Sequence, residues 1–458
     1  MDGCKPSQRK ILYAALKRKL TSEIKVAQLS GYVSEHAAYH HGEASLQSTI
    51  VGMAQNFVGS NNLPLLEPNG QFGTRLLGGI DSASPRYIFT KLNPITTALF
   101  HPLDSPLLHY LDDDGFPVEP EYYVPILPFI LFNGSKGIGT GYSTDIPNFN
   151  PLEVKNLVVK LINGESIDDI ELTPYYRNFR GKIVKKSKGK GYFTKGIFRQ
   201  KSVNTIEVTE LPIGTWTENY KEFLDSILID SKQGKKANLT TKQFINSYQN
   251  HSTENEVKFT IKMSTVLLNQ MKQKGTTHPE VSYLEKKLNL VSSKTISNMH
   301  AYDDQSRIHK YTSATEIINH FYGIRLALYK KRKAYLIRQI QRDLQLLSAR
   351  AQFIKDFIDS KIELRNRSKS NIKEQFETLN YPKLSVSMNG SKTKKNYDYL
   401  IKMSIYHLTK EKFEELMKAR DVAQQQLDAL QAKLETDMWL DDIAEFTRQY
   451  TRYLKRSC

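Results

Sequence analysis

KPSQRKILYAALKRKL, Lys5 to Leu20, is the stretch from which the N-terminal architecture follows. Ile11, Leu12, Ala15 and Leu16 recur at helical spacing while Lys and Arg fill the other positions, so the pattern predicts an amphipathic helix over Arg9–Leu20. A second helix is predicted over Ala44–Phe57. Several short basic helices in one compact unit suit a helix-turn-helix type of domain, although simple solvation also produces a basic helix face.

Outward from this block the texture changes. From about 128 to 290 short alternating runs such as FTKGIFR and TIEVTELPI, bounded by Gly, Pro and Asn, read as strands. Between Leu172 and Ile206 stand ten Lys or Arg and no Asp or Glu, interleaved with Tyr175, Tyr176, Phe179, Tyr192, Phe193 and Phe198. So one-sided a block is costly to assemble without counter-charge from outside, which points to phosphate-backbone binding, with a solvated basic face as the alternative. In the last third Leu336, Ile340, Leu344, Leu347, Ala351, Ile354 and Ile358 keep a three-four spacing. Ala423, Leu427, Leu430, Leu434 and Met438 repeat it. Two long helices with one seam each are expected to pack antiparallel. The connection, 361–407, carries Phe376, Leu379, Tyr399, Ile405 and Tyr406 and is expected to form a small globular tip, interrupted by a polar, mobile SMNGSKTKKN at Ser387–Asn396.

With 65 Lys and Arg against 48 Asp and Glu, the 458-residue chain carries +17, which favours a polyanionic partner. Cys4 and Cys458 are its only cysteines, so there is no disulfide framework and no cysteine-based zinc site; a reducing intracellular compartment fits. The longest apolar run, Val124–Phe132, is too short to span a bilayer, and MDGCKPSQRK is not a signal peptide. No membrane partner is expected, and the chain reads as a fragment of something larger.

The candidate chemistry centres on SASPRYIFTKL, Ser82–Leu92, which follows the small-residue loop LLGGIDSAS. A side-chain oxygen that attacks phosphorus and stays attached can break and reseal a phosphodiester without losing its bond energy. A phenol with the ordinary pKa of about 10 attacks poorly at neutral pH unless cations or a base favour its phenolate. Arg86, adjacent to Tyr87, could hold the phosphate and the charge that develops on it. Further cations come from Lys5 and Arg9 and from His40 and His41; two adjacent histidines cannot both face one phosphate. Each signal taken singly is also compatible with an incidental or solvated residue. GSKGIGTGYST, Gly134–Thr144, lacks the GK[ST] ending of a phosphate loop. It presents Ile138, either a wedge able to enter DNA or a core residue beneath a tight turn. Asp112–Asp114 lacks metal-ligand spacing, so no metal site and no ATP site are expected in this chain.

Read in order, DGCKPSQRKILY, YHHGEASLQSTIVGMAQNFVGSNN, LLEPNGQFGTR, PRYIFTKL, EPEYYVPILPFILFNGSKGIGTGYST, IPNFNP and ELPIGTWT closely resemble the breakage-reunion region of type IIA DNA topoisomerases, and the eukaryotic enzymes more than the bacterial ones. The resemblance implies an α+β multidomain fold: a winged-helix domain over 1–127, a mixed α/β tower over 128–290, and a long antiparallel coiled coil over 291–458 with a globular C-gate tip at 361–407. It implies that Tyr87 is the nucleophile forming a 5′-phosphotyrosyl link, with Arg86 and His41 in the catalytic set. Lys5, Arg9 and His40 would contact DNA, and Ile138 would intercalate. Double-stranded DNA and a second copy of the chain are the implied partners. Mg2+ and ATP would serve the full-length enzyme from regions outside this chain, and the chain alone would be poorly active. Nuclear localisation is implied for a cellular enzyme. The short C-terminal region suggests instead a large DNA virus, with host cytoplasm or nucleus as the setting. A noncatalytic DNA-binding and dimerisation module on the same scaffold is the competing reading. A tyrosine recombinase would place its tyrosine near the C-terminus.

Overall fold

The computed structural model describes residues 1–229, 242–364, 366–384 and 396–456. It is a mixed α/β protein whose chain forms two compact units, Met1–Leu328 with Leu440–Cys458, and Tyr329–Trp439.

In the first unit α1 spans Pro6–Lys17. It starts three residues before the predicted Arg9 because Pro6 occupies the first turn and the Lys5 amide donates to Gln8 Oε1 at 2.9 Å. Beyond its end Lys19, with φ of 51°, turns the chain back so that the Leu20 amide donates to the Ala15 carbonyl at 3.1 Å. Ile11, Leu12 and Ala15 are buried, as the periodicity predicts, and so are Tyr13 and Ala14, while Leu16 is half-buried; the helix packs against α2 (Val26–His36) and α3 (Glu43–Ala54). The short strands β1 (Ile24–Lys25) and β2 (Phe89–Thr90) pair antiparallel beside them. After α4 (Pro94–Leu99) come two hairpins, β3 (Tyr110–Asp113) with β4 (Phe116–Pro120), and β5 (Ser135–Gly139) with β6 (Tyr142–Ile146). The apolar run before β5 is core: Ile126, Leu127 and Phe129 to Phe132 are buried.

Helix α5 (Pro151–Ile162) leads to the strand-rich segment. There β7 (Lys182–Lys185), β8 (Tyr192–Lys195) and the later Val291–Lys294 make one antiparallel sheet. The strands β9 (Ile197–Ser202) and β10 (Thr205–Glu210) join Phe259–Met263 and Ile245–Asn250 in another. The predicted run FTKGIFR therefore divides between two sheets at Gly196, where a Cβ would lie 2.3 Å from the Glu210 carbonyl oxygen. Ile206, Val208, Phe259 and Ile261 meet Tyr220 and Leu224 of α6 (Thr217–Ser226) in one apolar core.

The second unit is built on α7 (Ala314–Ile358), which begins in the first, and α8 (Lys410–Ala432). They run antiparallel: Lys333 donates to the Lys433 carbonyl at 2.7 Å, while Ala351 and Ile354 pack on Leu416. The connection holds its own core of Phe353, Phe376, Tyr381, Tyr397 and Tyr399. Leu379 and Tyr406, expected inside it, are exposed, Tyr406 by 90%. The seam residues Ile358 and Leu434 are also exposed. SMNGSKTKKN lies outside the described residues except for Asn396, and the side chain of Ile405 is likewise outside them.

Candidate active site

Tyr87 stands on a turn fixed by a helix that lacks a cap of its own. Lys25, at the N-terminus of α2, makes no side-chain capping bond. The first free amides of α2 instead donate to the loop: Val26 to the Ile88 carbonyl and Ala27 to the Pro85 carbonyl, both at 3.1 Å. The Tyr87 amide closes the turn onto the Ser84 carbonyl at 2.9 Å, and Phe89 and Asn69 exchange backbone bonds below it. Ile88 is thereby buried while Tyr87 is 72% exposed, so a long duplex could reach the phenol. The Arg86 guanidinium lies 6.0 Å from the Tyr87 ring centroid and forms no ion pair among the described residues. Both it and the positive end of α2 favour an anion at this turn.

The glycine loop before the turn is anchored through residues that sequence reasoning did not assign. Gly78 has φ +68°, and a Cβ there would fall 2.2 Å from Trp216 Nε1; one at Gly73 would meet the Gly79 backbone. Gln55, just after α3, donates to the carbonyls of Phe72 at 2.9 Å and Gly79 at 3.1 Å. Buried Arg75 pairs with buried Glu210, and Thr217 and Glu218 at the start of α6 donate to the carbonyls of Arg75 and Leu76. Two helix N-termini thus share one loop, each satisfying its amides on loop carbonyls. Only the recurrence of ELPIGTWT among the resembling motifs signalled this support.

The other expected residues form separate groups. His40 and His41 diverge, as adjacency requires: His40 Nε2 is 3.4 Å from Asp113 Oδ2, whereas His41 meets the Tyr39 ring edge-on at 5.4 Å. They follow the C-terminal end of α2, whereas Pro85 binds its N-terminal end; the helix length between these ends is roughly 16 Å. Lys5 reaches along Gly137 of β5 and lines a cleft of about 180 Å³ with Lys136. On the same hairpin Ile138 is 95% exposed, which excludes the core alternative. Arg9 points inward: Nε is 2.8 Å from Asp2 Oδ2, and Nη2 is 3.0 Å from Asp2 Oδ1 and 3.1 Å from the Cys4 carbonyl. Burial raises the pKa of Asp2, but the Arg9 hydrogen bonds and charge, with the Tyr123 amide, hold it below the ordinary value overall.

Asp112 Oδ1 accepts from the Gly115 amide within its hairpin turn, and among the described residues no three His, Cys, Asp or Glu side chains could hold a metal ion together. No described helix is long and apolar enough to cross a membrane.

The basic block finds more internal counter-charge than its sequence implied. Lys185 pairs with Glu171, Lys195 with Glu285, Arg199 and Lys201 with Glu207, and Arg180 with Glu256. Lys182, Lys186, Lys188 and Lys190 make no ion pair among the described residues. If these lysines meet phosphates, replacing Lys182, Lys188 and Lys190 by Ala lowers the slope of log affinity against log salt by up to about 3. Fluorescence anisotropy of a labelled duplex across a salt series measures it, and an unchanged slope would place the DNA elsewhere.

The chain belongs to the DNA gyrase/topoisomerase IV family, that of the A-type subunits, whose sequence profile matches residues 1–444. It is 42% identical over 458 residues to the mitochondrial DNA topoisomerase 2 of Dictyostelium discoideum, covering 100% of this chain and 33% of that protein. DNA topoisomerase 2 of Candida albicans is 38% identical over 504 residues, with the same coverage. Human DNA topoisomerase 2-beta is 38% identical over 473 residues, covering 98% of this chain and 28% of that protein. The crystal structure of the Plasmodium falciparum topoisomerase II DNA-binding, cleavage and re-ligation domain superposes with a TM-score of 0.87 at 38% identity, covering 100% of this chain and 62% of that one. The resemblance to eukaryotic type II enzymes is thus borne out, and the chain spans about a third of the length of these relatives. They are cellular eukaryotic proteins and give the viral source no support.

Proposed function

We propose that this chain is the DNA-gate part of an ATP-dependent type II topoisomerase. The observation that carries the proposal is the exposed Tyr87 beside Arg86, on a turn held by the amides of α2. The Tyr87 phenolic oxygen attacks phosphorus, the 3′-oxygen of the broken strand leaves and takes up a proton, and the 5′-phosphate stays on the tyrosine. Resealing is the reverse, so the bond energy is retained. Arg86 stabilises the charge that develops on the phosphate, and His41 acts with it once the parts of the site are assembled. Lys5 and His40 face DNA on this reading, and Arg9 serves it through the N-terminal segment that it ties to Asp2.

In this assignment 1–127 is a winged-helix domain, 128–290 a tower, and 291–458 a coiled coil with its C-gate tip at 361–407, where exposed Tyr406 suits a dimer contact. A twofold dimer brings two Tyr87 residues to opposite strands. Mg2+ and ATP are assigned on this reading to regions outside this chain, and no step here is routed through them. The chain alone is expected to bind duplex DNA and dimerise with little cleavage. An intracellular setting, the nucleus for a cellular enzyme, goes with this assignment.

The decisive test uses the whole protein that contains this chain, ATP and a supercoiled circle of defined linking number. Passage of a duplex through a double-strand break changes linking number only by even amounts. Odd changes, or none, would overturn the assignment.

Ile138 acts on this reading as a wedge that pays for base unstacking by bending the duplex. Ile138→Ala is expected to reduce the bend, read by energy transfer between dyes at the two duplex ends, while binding weakens less than about tenfold. An unchanged bend would remove Ile138 from that role.

A further inference from the structure

A cavity of about 930 Å³ lies in the first unit beside the C-terminal end of α1, α4 and the segment that follows β2. Its size is within the range of small-molecule sites. Tyr13, Phe100, Tyr110 and Tyr123 supply aromatic walls, and nothing in the proposed cleavage chemistry uses them. The polar tips of two are already engaged: Tyr13 Oη donates to the Pro117 carbonyl at 3.2 Å and Tyr110 Oη to the Ser105 carbonyl at 3.0 Å. Asn93 is similarly occupied, donating to the Pro64 carbonyl and accepting from the Ile95 amide. The interior therefore asks for an apolar body with few hydrogen-bonding groups.

The lining also carries exposed charge. Lys17, Lys19 and Arg456 all line it, and none has a carboxylate within ion-pair distance among the described residues. Lys91, by contrast, lies 3.3 Å from Glu67 and 3.9 Å from Glu23. Lys19 is held in place by its left-handed turn, with its amide donating to the Leu16 carbonyl at 3.0 Å. Aromatic walls together with exposed cations that have no carboxylate partner, Lys17 lying 5.3 Å from the Tyr13 ring centroid, select a molecule that is apolar at one end and anionic at the other. Duplex DNA does not fit this description, because its phosphates would meet the cations and leave the walls unfilled.

We infer that this cavity is a binding site for a small amphipathic anion, an aromatic or branched apolar body carrying a carboxylate or sulfonate. The site adjoins Lys91 to Pro94, the strand continuation of the Tyr87 turn, but its occupancy does not depend on that turn being catalytic.

The test titrates the chain with 8-anilinonaphthalene-1-sulfonate and, in parallel, with neutral N-phenyl-1-naphthylamine, reading fluorescence. The expected result is saturable binding of one sulfonate per chain. Thr97→Trp, which adds an indole at an exposed lining residue, abolishes binding of both dyes, and Ser105→Trp repeats this from a second exposed lining residue should the first variant unfold. The double variant Lys17→Glu, Lys19→Glu weakens the sulfonate at least about tenfold and leaves the neutral dye within about twofold. Binding of the sulfonate that survives both tryptophan variants would overturn the site. Equal loss of the two dyes on charge reversal would overturn the anionic class of ligand. Salt-dependent DNA binding by the same variants is expected to be unchanged.

Discussion

Tyr87→Phe is expected to reduce covalent DNA linkage to background, a loss on the order of 10⁴-fold or more, as when a sole nucleophile is removed. The substitution deletes one oxygen from a side chain that is 72% exposed. Neither the buried Ile88 nor the amides of Val26 and Ala27 that hold the turn touch that oxygen. Stability should therefore stay within about 0.5 kcal/mol of the parent, as for surface substitutions generally. Duplex affinity and its salt dependence should also persist, since phosphate contacts come from lysine and arginine. The measurement is recovery of labelled DNA with protein after denaturation, in the full-length protein. Trapping that survives in the phenylalanine variant would mean that another side chain is the nucleophile. Trapping absent from the parent as well, with DNA binding intact, would favour the noncatalytic module.

Arg9→Ala should have the second largest effect, and on stability. Asp2 is 2% exposed, and its carboxylate is held by both arms of Arg9 and by the amides of Cys4 and Tyr123. Removing the guanidinium leaves a buried charge without its counter-ion, which costs about 3–5 kcal/mol. The pH dependence has a definite sign. In the parent, Asp2 titrates below its unfolded value despite burial, so its stabilisation is present above that value, near 3.8, and is lost as pH falls through the folded pKa. In the variant burial, which raises the pKa, is opposed only by the Cys4 and Tyr123 amides and the nearby terminal ammonium, so the carboxyl titrates higher than in the parent. Protonation then relieves the variant, so the difference between the two proteins is greatest at neutral pH and shrinks as pH falls below about 4. Thermal unfolding at pH 7 and at about pH 3 checks both statements. A variant with parental stability that loses only DNA affinity would put the Arg9 fork on phosphate rather than on Asp2.

The sequence carries the positions of the elements better than their company. Helix α1 is legible because Ile11, Leu12, Ala15 and Leu16 keep a helical period, and the set along α7 reports a packed helix for the same reason, whereas the second set runs past the end of α8 at Ala432, with Leu434 exposed and Met438 in the following helix Glu435–Arg456. Arg9 reads as a phosphate ligand because a KPxQRK turn is normally solvated; nothing local shows that Asp2, seven residues before it, is buried. The Lys/Arg block looks uncompensated because its carboxylates come from Glu171, Glu207, Glu256 and Glu285, outside the segment by up to tens of residues. Ile138 leaves two readings open, since an aliphatic residue between glycines is written alike whether a hairpin buries it or presents it. Hydrophobicity alone puts Tyr406 and Leu379 in the tip core, and their exposure follows from a core already filled by Phe353, Phe376, Tyr381 and Tyr397. The helix pair that clamps the loop before Tyr87 is barely legible, because its bonds run from backbone amides to backbone carbonyls and residue type marks it only through Gly78 and the Trp216 of ELPIGTWT.

The most direct test of the central claim is to trap the protein on DNA with denaturant, digest both components, and identify the modified peptide by mass spectrometry. The account predicts one nucleotide-bearing peptide containing Pro85-Arg86-Tyr87, with the phosphate joined to the Tyr87 oxygen and to the 5′-carbon of the sugar. An adduct on any other residue, or one joined through the 3′-carbon, would contradict it.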